Sequence, residues 1–226
     1  MLGLLEDTRE RLAGLFPRTV GDLVVVLHDS SASLVAANPL FPLIRALCAP
    51  AARRYVIGWT GRRELHVLSP AAAAARASGV DGSALMLSLA PASLYARRVV
   101  LECNPDLHRR LAAARLVVQL RWAWLVDGAS RWFSGETVHA RAAIGRRLRE
   151  GGVPRFPPGV RDATLLGGTV FDLLTREEGE RAAARFACHL HPGGGRAALA
   201  QAFGGRSLAH TERAWRTSLE RLTAAP

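Results

Sequence analysis

The densest set of metal-type ligands in this chain is Cys188-His189-Leu190-His191. Imidazoles at i and i+2 of a continuous helix point about 200° apart, so they can chelate one ion only where a helix stops. Pro192-Gly193 supplies such a stop. The same residues also suit a buried thiol beside two histidines at a helix C-terminus, where a cationic ring favours the dipole. His28-Asp29-Ser30 gathers the residue types of a hydrolase triad, but no Gly-x-Ser-x-Gly turn is present to raise a nucleophile. Asp29 and Ser30 fit better as caps of a following helix. Gly193-Gly194-Gly195 lacks the strand and the lysine of a phosphate-binding loop and is expected to be a turn.

Charge offers a second kind of chemistry. All 30 basic residues are arginine, against 19 acidic ones, for a formal net charge of +11. Exclusive arginine with abundant alanine and glycine points to a high-GC bacterial genome, so the choice of arginine over lysine is not itself a sign of phosphate recognition. The charge excess attracts polyanions and acidic surfaces. Arg141, Arg146, Arg147 and Arg149 form the best basic patch. Around Ile144 and Leu148 they would make an amphipathic basic helix suited to nucleic acid, an acidic partner or an acidic membrane face. No helix-turn-helix, RRM or zinc-finger pattern accompanies them, so weak, non-specific polyanion binding is the expectation.

These residues must be positioned by an ordinary globular chain. Its 226 residues, 49% hydrophobic and 22% charged, can bury a substantial core. Leu5, Thr8, Leu12 and Leu15 fall at helical spacing before Pro17, and Asp22 to Leu27 is a β-branched run that predicts a buried strand. Residues 33–37 suggest a helical turn, broken by Asn38-Pro39 and Pro42. Arg54 to Trp59 and Glu64 to Leu68 flank Thr60-Gly61-Arg62-Arg63 as a hairpin, and Ser69-Pro70 caps a helix start. From Pro91 onward the pattern is almost wholly helical. One helix should stop near Asn104-Pro105, and the next places Val117, Leu120, Trp124, Gly128 and Trp132 on one stripe. Residues 151–158 form a loop; helices follow over 165–174, 181–190 and 196–203, and Leu208, Trp215, Leu219 and Leu222 stripe a last one. Gly167-Gly168 inside a helix costs about 1 kcal/mol per glycine against alanine, which implies close helix packing there. Cys48, Cys103 and Cys188 are odd in number and widely spaced, so a disulfide framework and a cysteine-rich zinc site are not expected. No window approaches the ~18 apolar residues of a membrane span, and the N-terminus lacks a basic start with an apolar core. A cytoplasmic protein is expected.

The segment Arg121-Trp122-Ala123-Trp124-Leu125-Val126-Asp127-Gly128-Ala129-Ser130-Arg131-Trp132-Phe133-Ser134-Gly135 resembles the stretch that follows the zinc-binding helix of gluzincin, thermolysin-like metallopeptidases. There the pattern is roughly Trp-Leu-x-Glu-Gly-x-Ala-x-Tyr-Phe, and its Glu is the third zinc ligand. Gly167 to Leu174, Ala198 to Gly204 and Glu212 to Arg216 are similar to later stretches of such proteins, so the resemblance spans roughly residues 85–226. It implies an α+β, zincin-like fold: a small mixed α/β sheet unit over 1–84, then a mainly helical lobe over 85–226, packed as one domain.

Zinc peptidase chemistry needs two histidines at i and i+4, an intervening glutamate as base, and a carboxylate from a second helix. Laid on this chain, Glu102-Cys103-Asn104-Pro105-Asp106 occupies the His-Glu-x-x-His positions and Asp127 the third ligand. Both histidines are lost, and Pro105 ends the helix that should carry them. The resemblance therefore implies a member without catalytic residues and without zinc, in a structural or peptide- or ligand-binding role. Glu102, Cys103, Asp106 and Asp127 would mark the relic site, with Trp124 lining its cleft.

Two alternatives stand beside that reading. One is a hydrolase with a rebuilt metal site, using His189 and His191 or an oxygen-only cluster of Glu102, Asp106 and Asp127 suited to Mg²⁺ or Ca²⁺. The other is a basic partner-binding module acting through Arg141 to Arg149. In blander terms, Asp106 favours the dipole of a helix start, Asp127 pairs with Arg131 at i+4, and Glu136 and His139 are surface residues. Trp124, Gly128 and Trp132 then hold helices together.

Overall fold

A computed structural model describes residues 1–109 and 112–224. After helix α1 (Leu2–Ala13) come strand β1 (Val24–His28), helices α2 (Ser31–Ala37) and α3 (Phe41–Leu47), and strands β2 (Gly58–Thr60) and β3 (Glu64–Leu68). Short helices α4 (Pro70–Ala74) and α5 (Ser83–Ser88) lead to α6 (Ala90–Cys103), α7 (Asp106–Arg109), α8 (Ala112–Arg121) and α9 (Ala123–Phe133). The remainder is α10 (Arg141–Arg149), α11 (Val160–Glu178), α12 (Glu180–Ala187), α13 (Gly195–Ala202) and α14 (Leu208–Ala224). The chain is thus mainly helical with one small sheet, compatible with the α+β class.

The sheet runs β1-β3-β2. The expected hairpin is there, β2 antiparallel to β3 with Trp59 opposite His66. Sequence patterning left the place of β1 open: it lies parallel to β3 on the far side, Val26 opposite His66. A parallel pair needs a crossover rather than a tight turn, and α2 and α3 supply it. Pro42 does not break that region. It sits in the first turn of α3, where its missing N–H has no intrahelical role.

Two helix boundaries matter for the site. α6 stops at Cys103, and Asn104 adopts φ −119°, ψ 68°, outside the helical region that a following proline disfavours. The Asn104 amide then donates to the carbonyls of Val100 and Ala187, both at 2.8 Å, tying the ends of α6 and α12 together. The Val117-to-Trp132 stripe is not one helix. Trp122, at φ −104°, ψ 9°, separates α8 from α9, and Val117 is left 66% exposed.

α9 packs along α11 through glycine. A Cβ on Gly128 would lie 2.5 Å from the Gly167 carbonyl carbon, and one on Gly167 would lie 2.5 Å from the Trp124 oxygen. Backbone meets backbone at this crossing, so neither position admits a side chain without parting the helices. Gly168 is as tight, its Cβ falling on the Thr137 hydroxyl. The core continues on both sides as one hydrophobic cluster from Leu5 to Leu219. Fully buried Trp215 donates its indole N–H to Thr169 at 2.8 Å, which satisfies the one polar atom it brings inside. Among the described residues no helix is long and apolar enough to cross a membrane.

Candidate functional site: a charged cleft between sheet and helices

A cleft of ≈ 260 Å³ opens between β2, α6 and α9. Helical spacing explains which side chains enter it. On α6, Ala90, Ser93, Leu94, Arg97 and Leu101 recur every three or four residues and face it together; on α9, Asp127, Ser130 and Arg131 do the same. β2 forms the opposite wall with Gly58, Trp59 and Thr60, and its outer edge carries no further strand among the described residues. Gly58 is required by the fit of this wall, since a Cβ there would fall 2.4 Å from the His66 oxygen and 2.6 Å from Leu94 Cδ1.

Two ion pairs dominate the interior. Arg97 Nη1 pairs with Asp127 Oδ1, and Arg131 Nη1 pairs with Glu136 Oε1. The second Arg131 nitrogen, Nη2, donates to the Tyr55 carbonyl at 3.3 Å. Burial pulls both guanidinium pKa values down to about 10, and Arg131 adds like-charge repulsion to the Arg97 shift. Desolvation thus works against both cations, and the two carboxylates supply the opposing charge.

Glu136 was expected at the surface; it is instead fully buried. Gly135, at φ +80°, turns the chain back at the end of α9 and delivers Glu136 to Arg131. Asp127 therefore does not take the expected i+4 partner. Glu136 Oε2 and Trp59 Nε1 are buried with no hydrogen-bond partner among the described residues, and both residues line the cleft. An orphaned acceptor and an orphaned donor in one concavity are unusual, because buried polar groups are nearly always paired.

The sheet carries a polar chain beside the cleft. His28 Nε2 lies 3.0 Å from His66 Nδ1, and His66 Nε2 lies 3.0 Å from Glu64 Oε2. Trp59 stacks on His66, centroids 3.9 Å apart and planes within 10°. Burial, then the neighbouring His66, lowers the His28 pKa. This array uses His28 but not Asp29 or Ser30, and Ser30 caps α2 through the Ser33 N–H at 3.1 Å.

Of the positions the gluzincin resemblance marks, only Asp127 lines the cleft. Glu102 turns to Arg98 one turn back on α6. Asp106 is exposed at the start of α7. Cys103 is half-buried at the end of α6, where a hydrogen bond from Cys188 and the nearby Arg18 lower its pKa. Trp124 is not among the lining residues; it is buried against Trp122 and Phe186 on another face of α9. The helix face opposite Asp127 belongs to Ser93, Arg97 and Leu101, which on α6 precede the pattern's placement at Glu102 to Asp106. Arg97 lies within the basic pair Arg97-Arg98 of an otherwise apolar run, which hides it from a reading of charge clusters. Its spacing with Ser93 and Leu101 was the available signal.

The donor chemistry around Asp127 does not fit zinc. No histidine occurs among the described lining residues, Cys48 is their single thiol, and the Asp127 carboxylate is taken by Arg97. No group of three or more His, Cys, Asp or Glu placed to hold an ion occurs among the described residues. His189 and His191 follow the end of α12 with ring centroids 6.4 Å apart and planes at 86°, and His191 Nδ1 accepts from the Gly193 N–H at 2.9 Å.

In the basic patch, Arg147 has a structural role. It is 3% exposed and clasps Asp162 of α11 with Nε–Oδ1 at 2.5 Å and Nη2–Oδ2 at 3.0 Å. Arg146 and Arg149 are exposed and Arg141 is half-buried. Comparison of the chain with protein-family models, with curated proteins and with solved structures gives no match.

Proposed function

We propose that this chain is a non-catalytic, metallopeptidase-like protein whose cleft binds a short extended peptide or a ligand of similar polarity. The observation that carries the proposal is the Arg97–Asp127 pair: a fixed guanidinium supplies the cation that a metallopeptidase would recruit as an ion. A guanidinium cannot activate water as zinc does. It stays positively charged at neutral pH and offers no open coordination position to a water.

Three features of the cleft suit binding. The edge of β2 offers backbone hydrogen bonds to an extended segment, the mode of strand addition. Trp59 lines the cleft with an aromatic side chain, and behind that lining the buried Trp59 Nε1 and Glu136 Oε2 leave a polar demand that no group among the described residues meets. Zinc has no part in this function.

Metal analysis with a peptidase assay tests the first half. The expectation is no stoichiometric zinc and no hydrolysis of unstructured protein substrates. Tightly held zinc and peptidase activity, lost together in Asp127→Ala, would overturn the proposal. Retention of a random heptapeptide library on the immobilised protein tests the second half. Trp59→Ala should release most of what the wild type retains, whereas equal retention by both removes the cleft from binding.

A further inference from the structure

We propose a second binding site, for a small ligand carrying a phosphate or diphosphate group, in the recess between α10, the Arg53–Tyr55 turn and the end of α14. The recess measures ≈ 350 Å³, within the about 300–1,000 Å³ typical of small-molecule sites. Arg54, Arg141, Arg146 and Arg149 line it, against a single carboxylate among the described lining residues, Asp81. Among the described residues Arg54, Arg141 and Arg149 form no ion pair, and Arg146 meets Glu150 only at 3.7 Å.

This lack of compensation is local. On the same helix Arg147 turns inward to a two-point clasp on Asp162. The positive charge also continues behind Arg54: burial first, then Arg45 and Arg54, lower the Arg76 pKa. Guanidinium groups crowded around a concavity repel one another, and a multiply charged oxyanion removes that repulsion. Their planar forks match phosphate oxygens in two-point geometry, which a chloride ion cannot use.

The shape is set by a missing side chain. Positions 141, 145 and 149 lie in line along α10 at i+4 spacing, and the middle one is Gly145. A Cβ there would lie 3.4 Å from Arg149 Nη1 and 3.8 Å from Thr223 Cγ2. No backbone obstructs it, so a larger side chain at 145 would grow into the recess and fill it. A concavity of this size accepts a terminal phosphate or diphosphate with a small appended group. A nucleic-acid duplex, whose phosphates lie on a broad convex surface, meets only the rim.

Calorimetric titration of the full chain with inorganic pyrophosphate at fixed ionic strength tests the site. Saturable one-site binding is expected, weakened at least about tenfold in Arg146→Gln/Arg149→Gln, where charge-assisted hydrogen bonds are lost. Both arginines are exposed, so this variant keeps its fold. Gly145→Leu keeps every charge and should abolish binding, whereas Arg62→Gln on the exposed hairpin turn should leave it unchanged. A nucleoside diphosphate should compete with pyrophosphate. Tighter binding than pyrophosphate assigns the site to an organic diphosphate, and equal binding assigns it to the phosphate group alone. Absence of saturable binding, wild-type affinity in both recess variants, or displacement of pyrophosphate by a DNA duplex would overturn the proposal.

Discussion

The cleft and the recess are both built around arginine, and they treat it in opposite ways. In the cleft each guanidinium meets a carboxylate: Arg97 with Asp127, Arg131 with Glu136. In the recess Arg54, Arg141, Arg146 and Arg149 face one carboxylate among the described lining residues, Asp81, and of the four only Arg146 meets another, Glu150 at 3.7 Å. Tyr55 lines both concavities, so a single wall separates compensated from uncompensated charge. The difference shows that the basic excess of this chain is not spread evenly as a solvated coat. Between these two sites, arginine is neutralised where burial would make a bare cation costly, and is left largely uncompensated where solvent or an anion can reach it.

The largest expected effect comes from breaking the Arg131–Glu136 pair, whose carboxylate is fully buried. Glu136→Ala leaves Arg131 desolvated without a counter-charge and should lower the unfolding free energy by about 3–5 kcal/mol, the usual cost of orphaning a buried ion. Urea denaturation at neutral pH measures it. Replacing both partners, Arg131→Met with Glu136→Leu, should recover most of that loss, because the apolar pair removes the orphan. A cost below about 1 kcal/mol for Glu136→Ala would mean that the cleft pairs behave like surface ion pairs, and the contrast with the recess would collapse.

A sharper comparison lies within one helix. Arg146 and Arg147 are neighbours on α10, yet one is exposed and the other is 3% exposed on Asp162. Arg147→Met should cost about 3 kcal/mol, and Arg146→Met no more than about 0.5 kcal/mol. Thermal or urea unfolding of the two variants side by side reads the difference directly. Similar costs would show that the patch is one electrostatic unit rather than a strut beside a binding face.

The recess makes a smaller, salt-dependent prediction. Uncompensated repulsion among its arginines should be screened as ionic strength rises, since exposed charges more than about 8 Å apart are largely decoupled at 0.15 M salt. Wild-type stability should therefore rise by a few tenths of a kcal/mol with added chloride. Arg141→Gln/Arg149→Gln should show a flatter response and, in low salt, equal or higher stability than the wild type. A wild-type stability that falls with salt would indicate attractive pairing in the recess.

What the sequence disclosed follows the range of the interactions involved. The Trp122-to-Phe133 segment was legible as a packing element because Gly128 and the Gly167-Gly168 pair carry their own reason: close approach excludes Cβ. The hairpin, the stop at Pro105 and the capping of α2 were legible for the same reason, being local backbone chemistry. The partners of Asp127 and Glu136 were not. The i+4 rule offered Arg131 to Asp127, but α6 crosses α9 and brings Arg97 instead, while the left-handed turn at Gly135 folds Glu136 onto Arg131. Helix crossing and chain reversal are tertiary facts that periodicity does not encode. For the same reason the basic patch was found as a run of four, although Arg147 leaves it and Arg54, distant in sequence, joins it.

The smallest effect concerns an arginine beside a partner whose charge is not fixed. Cys103 closes α6, and its thiol pKa is lowered chiefly by a hydrogen bond from the Cys188 thiol, with Arg18 acting through both its backbone and its charge. Cys188, giving up that hydrogen bond and partly buried, is pushed the other way. The proton therefore leaves Cys103 first. Alkylation by iodoacetamide, followed by mass spectrometry of each site, should label Cys103 ahead of Cys188, with a pH midpoint below that of a free thiol. Cys188→Ala removes the leading cause and should move that midpoint up. Arg18→Gln removes only the lesser one, so its upward shift should be smaller. If Arg18→Gln moves the midpoint further than Cys188→Ala does, the cation rather than the second thiol governs the pair. Cys103 would then be a third setting for arginine in this chain, in which the guanidinium draws out its own counter-charge.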